Sequence, residues 1–129
     1  MEKLDLIAKA EHDIQAIDIL LEALDAPTDV ICFHCQQAVE KYLKAYLADQ
    51  NIDYPKTHDL KNLLDRCIAL DSNFAQILEI VDLTTYAVTT RYEEAVGLTR
   101  EEAEEMVDLM ERSVGFIKAK LSFLAGRSS

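Results

Sequence analysis

Residues that turn a chain are scarce here: 129 residues include only three glycines and two prolines. A sandwich or barrel needs a turn roughly every ten residues, and this sequence cannot supply them. Long helices need few turns, so the chain is expected to be all-α. No apolar run approaches ~18 residues, which excludes a membrane-spanning helix. The opening Met1-Glu2-Lys3 is charged and lacks the short apolar block of a signal peptide. Three cysteines cannot all pair, so a disulfide-stapled scaffold is excluded and a reducing, cytoplasmic compartment is expected. Serine-nucleophile, Walker, dinucleotide and HExxH patterns are missing. None of the histidines His12, His34 and His58 follows a glutamate by three, which removes the carboxylate-helix di-metal site. No cofactor and no metal are therefore expected.

What the chain does contain is apolar residues, 50% of the total, enough for one core in a chain of one-domain length. A single domain is expected over residues 1–125, with 126–129 as a frayed tail. The formal net charge of -11 repels phosphate backbones and argues against general DNA binding. The charge is unevenly spread. Between His34 and Arg66 five basic residues (Lys41, Lys44, Lys56, Lys61, Arg66) balance five acidic ones (Glu40, Asp49, Asp53, Asp59, Asp65). The rest of the chain carries the whole deficit, so an anion site is expected inside this neutral window.

Apolar periodicity predicts a first helix from about Lys3 to Leu24, through Leu4, Ile7, Ile14, Ile17, Leu21 and Leu24. Pro27-Thr28-Asp29 breaks it and offers a cap. The second helix, about Asp29 to Gln50, has two adjacent apolar seams. Ile31, Cys35, Ala38, Tyr42 and Ala45 form one; Cys32, Val39, Leu43 and Leu47 form the other. Together they fill about 200°, where a surface helix needs about 100°. Either this helix is central or its second flank meets another chain. A short third helix is expected from a cap at Thr57 to Leu70, and a fourth from Phe74 to the Arg91 region. The β-branched run Thr84–Thr90 inside the fourth is expected to stay helical, because a lone strand has no partner. Thr99-Arg-Glu-Glu102 is a capping box for the last helix, with acids at its start and Lys118 and Lys120 near its end. Short connections favour antiparallel neighbours, hence an up-and-down four-helix bundle with an additional short helix.

Four constellations could carry chemistry. His34, Gln37, Lys41 and Lys44 share one helix face within about 80°, either an anion-facing strip or an ordinary solvated face. Lys56-Thr57-His58 stands at the expected start of the third helix, where free N–H groups would receive an anion; the alternative is a plain cap. Cys32-Phe-His-Cys35 is a CxxC pair. With no strand before it and few further ligands, it reads as two small buried residues rather than a redox or zinc site. Arg91-Tyr92 could close a pocket and hold an anion bidentately, or Arg91 could serve terminal carbonyls.

Three ordered blocks resemble the HEPN domain family, and the likeness extends over about residues 4 to 123. Gln36-Gln-Ala-Val-Glu-Lys-Tyr-Leu-Lys-Ala45 resembles its QQA-x-EK-x-LKA core, Pro55-Lys-Thr-His-Asp-Leu60 its P-x-THDL block, and Thr90-Arg-Tyr92 its RY block. The resemblance implies a helical bundle, usually a homodimer, and a connection to nucleotides. It also implies a minimal nucleotidyltransferase as partner, in a toxin–antitoxin-like pair. The family's recurrent polar residues correspond to ligand-binding candidates Gln37, Lys41, Lys44, His58, Arg91 and Tyr92, supported by Gln36 and Glu40. One departure stands out. HEPN ribonucleases resemble each other in an arginine followed four to six residues later by a histidine. Here the first arginine is Arg66 and the last histidine His58, so that motif is absent and no catalytic residue is expected. The expected function is a nucleotide- or anion-binding module. The alternatives are a divergent ribonuclease using His58, or an interaction bundle docking through the second flank of helix 2 around Leu43.

Overall fold

A computed structural model describes residues 2–81 and 98–121. The chain is all-α, as expected. The described residues form α1 (Lys3–Leu21), α2 (Thr28–Asp49), α3 (Leu60–Leu70), a 3₁₀ segment (Ser72–Ile80) and α4 (Arg100–Lys120). The Thr84–Thr90 run, the Arg91–Tyr92 pair and the 126–129 tail lie outside the described residues. No described helix is long and apolar enough to cross a membrane.

α2 is the central helix, packed against α1, α3 and α4. Both apolar seams are used inside the chain: Cys32, Val39, Leu43 and Leu47 are as buried as Ile31, Cys35, Ala38 and Tyr42. The second flank is therefore no docking face, because α3 and α4 already cover it. α1 runs antiparallel to α2, with Lys3 bonded to Asp49 at one end (2.8 Å) and His34 meeting Asp13 further along. α4 runs antiparallel to α1. The Arg100 guanidinium donates to the Leu21 and Ala23 carbonyls, 2.7 Å each, and Lys118 pairs with Glu11 at the far end. Arg100 thereby satisfies carbonyls that a helix C-terminus leaves open.

Several boundaries differ from the sequence expectation. α1 ends at Leu21, and Leu24 stands 86% exposed. Its buried face is Leu6, Ala10, Asp13 and Ile17, so the stripe is turned away from Leu4 to include a carboxylate. Thr28 is not a cap; its hydroxyl donates to the Leu98 carbonyl (2.6 Å) and ties the start of α2 to the approach to α4. The cap of α3 is Asp59, whose carboxylate accepts from the Lys61 and Asn62 amides, and Thr57 instead accepts from the Asp59 amide. Asp71 accepts from the Asn73 amide, and Ser72–Ile80 then winds as a 3₁₀ segment kinked at Ile77. The Thr99 capping box is present, with Glu102 and Thr99 bonded reciprocally.

Candidate functional site

The site begins where α2 ends. Asn51 takes a left-handed conformation (φ 59°), which asparagine tolerates. Its amide and that of Ile52 close back onto the Ala48 and Leu47 carbonyls. This reversal sends residues 52–59 back along α2, bringing Tyr54 beside Lys44 and His58 beside Glu40.

The polar stripe of α2 divides between two buried carboxylates. Asp13 of α1, 7% exposed, accepts from Lys41 Nζ (2.5 Å) and meets His34 Nδ1 (2.8 Å). Glu40 of α2, 3% exposed, accepts from Lys44 Nζ (3.1 Å) and Gln36 Nε2 (3.1 Å) and meets His58 Nδ1 (3.0 Å). Gln36 Nε2 also donates to the His58 carbonyl, and Gln37 donates to Gln36 Oε1. A buried carboxylate is tolerated when charge and hydrogen bonds compensate it, and both carboxylates meet that requirement.

The structure thus brings Gln36, Gln37, Glu40, Lys44 and His58 into one network and turns Lys41 and His34 away to a second. Arg91 and Tyr92 lie outside the described residues. Lys56-Thr57-His58 precedes α3 without forming its N-terminus, and Asp59 occupies the amides an anion would have used. Asp13 was not visible as a site residue from the sequence. Three residues from Ala10 and four from Ile17 it occupies a core position, and that spacing was the available signal.

Next to the Glu40 network is a groove of about 800 Å³ between the start of α1, the end of α2 and the returning loop. Glu2, Lys3, Lys44, Asn51, Asp53, Tyr54 and Lys56 supply its polar and aromatic wall. Lys44 Nζ stands 5.7 Å from the Tyr54 ring centre, a cation–π distance. Lys56 is exposed and makes no ion pair among the described residues. The groove falls largely inside the charge-neutral window, and its size suits a small ligand.

The three cysteines are free and buried in the core. Burial pushes the Cys32 and Cys67 thiols up to about 12, and Cys35 higher still. They are protonated and unreactive at neutral pH. Among the described residues no cluster of three or more His, Cys, Asp or Glu side chains is arranged to hold a metal.

A central helix thus carries a buried polar network beside a groove whose charged wall is Glu2, Lys3, Lys44, Asp53 and Lys56. Comparison with protein families matches the HEPN domain over residues 4–120, and the chain belongs to that family. Membership implies a nucleotide-binding or ribonuclease-like module. Comparison with curated proteins and with solved structures found no match.

Proposed function

We propose that this protein is a nucleotide-binding HEPN module of the group bearing the QQA, THDL and RY blocks, and that the groove beside Glu40 receives the phosphates. The observation carrying this reading is Lys44. Its ammonium is held by buried Glu40 at the wall of an 800 Å³ groove, with Lys56 nearby and the Tyr54 ring beneath it. Glu40 fixes where the cation points, so it need not be ordered when an anion arrives. Gln36 and Gln37 extend the same network, and Arg91 and Tyr92 are proposed to close the site. Lys41 is proposed to act at one remove, by seating α1 against α2 through Asp13. Calorimetric titration with ATP, GTP and short RNA, against Lys44→Ala and Arg91→Ala, tests the reading. Binding to none of them, alone or with a nucleotidyltransferase partner, removes it.

The module is further proposed to act as a homodimer with a minimal nucleotidyltransferase in a toxin–antitoxin-like pair. Sedimentation fixes the oligomeric state, and a nucleotidyltransferase gene beside this one identifies the partner. A second reading, a divergent ribonuclease, is favoured by one observation. The His58 ring is 80% exposed and anchored through Nδ1 on Glu40, the arrangement in which a carboxylate orients an imidazole for proton transfer. It predicts growth arrest on expression and RNA cleavage lost in His58→Ala.

A further inference from the structure

Glu40 is shared by a lysine and a histidine that face different surroundings. Lys44, 12% exposed, lies on Oε2 and lines the groove; His58, 80% exposed, lies on Oε1 at 3.0 Å and Oε2 at 3.2 Å. The carboxylate itself is 3% exposed and cannot take compensation from water. Anything that draws the charge of Lys44 toward the groove therefore leaves Glu40 dependent on its other titratable partner. From this geometry we infer that nucleotide binding in the groove takes up a proton at His58, relayed by Glu40. The inference rests on the reading of the groove given above and adds its regulation: affinity rises as pH falls.

The sign follows from the contacts. A phosphate on Lys44 competes with Glu40 for that ammonium, so the charge of the carboxylate is less well compensated and favours the imidazolium form of its other titratable partner. The bound anion adds a second negative charge to the neighbourhood, and this acts in the same direction. The groups bearing on the imidazole are Glu40 and, across it, Lys44 from α2, with Lys56 and Asp59 from its own loop. Asp59 is turned to cap α3, and Lys61 of α3 is paired with Asp65. The Gln36 bond to the His58 carbonyl holds the loop in place whichever state the ring is in.

ATP is titrated into the wild-type chain and His58→Gln at pH 6 and pH 8, and at pH 7 in buffers of high and low ionisation enthalpy. His58 is exposed and the glutamine amide can still donate to Glu40, and circular dichroism verifies that the fold is kept. The nucleotide's own ionisation is common to both proteins and drops out of the comparison. Whatever affinity each has at pH 8, the wild type is expected to gain about threefold to tenfold more than the variant on moving to pH 6. It should also take up a larger fraction of a proton per ATP bound. ATP binding with the same pH slope and proton uptake in both proteins overturns the inference and leaves the groove reading intact. No ATP binding to the wild type removes both.

Discussion

Asp13 of α1 and Glu40 of α2 are both buried carboxylates, each held by a lysine and a histidine, yet they face opposite fates. Asp13 is held between two helices, and its partners His34 and Lys41 are 26% and 21% exposed. Glu40 reaches solvent through His58, 80% exposed, while its Lys44, 12% exposed, stands in the wall of the groove. One helical stripe supplies three of the four partners, so its spacing does not separate the two environments. What lies opposite does. Across from Lys41 stands α1; across from Lys44 stands a loop turned back at Asn51, and a groove opens between them. Asp13 therefore serves to join α1 to α2, and Glu40 serves to aim cations.

The largest effect tests whether α2 is as central as this contrast requires. Leu43→Asp places an unpaired carboxylate at a position of 0% exposure. It should cost more than about 4 kcal/mol and leave the chain unfolded by circular dichroism. A folded variant that lost only a binding partner would restore the docking reading of that flank. Next, Asp13→Ala strands Lys41 and His34. The expected loss is about 2–3 kcal/mol in urea unfolding, below the range for fully buried pairs because both partners keep some water. ATP binding by the folded fraction should persist. A double-mutant cycle with Lys41→Ala isolates the pair, and a coupling near zero would show that Asp13 is no tie.

Fold class was legible because scarce turn residues and a doubly apolar α2 leave few alternatives to a bundle with α2 inside. The capping box at Thr99 and the end of α2 at about Gln50 were legible because their signals are local. The α3 cap was misplaced by two residues, since Thr57 and Asp59 are both good caps and the choice depends on where His58 must sit. The site was half legible. Spacing put His34, Gln37, Lys41 and Lys44 on one face, but Asp13, 21 and 28 residues from His34 and Lys41, draws those two away from the groove. Asp13 was hidden because counting apolar residues skips a carboxylate, even one at a core position. Arg100 was read only as part of a capping box; its bonds to the Leu21 and Ala23 carbonyls span more than 70 residues.

A smaller effect separates the two lysines. Lys44→Ala should weaken ATP binding about tenfold, or about 1.4 kcal/mol. Lys41→Ala should change affinity less than threefold while lowering stability. Calorimetry and urea titration on the same two proteins provide the check. The reverse pattern would move the ligand site to the Asp13 side.

The smallest effect uses the thiols, which report on the packing of α4 and of α3 against α2. Cys35 of α2 faces the α4 side, where Glu111 bears on it, while Cys67 of α3 points at the Leu43 carbonyl. Burial raises Cys32 and Cys67 from 9.0 to about 12, and Cys35 further. A thiol that ionises later when folded than when unfolded favours the folded state only while protonated. Its contribution is complete below pH 9 and is lost as pH rises from about 9 toward 12. At about pH 10 each thiol should cost about 1 kcal/mol of stability, visible as a falling urea midpoint between pH 8 and pH 10. Labelling at pH 8 should be slow for all three and fast only in urea. If Cys35 reacts before Cys67 in the native protein, α4 lifts from α2 before α3 does; the reverse order means that the α3 side, which carries the loop holding His58, opens first.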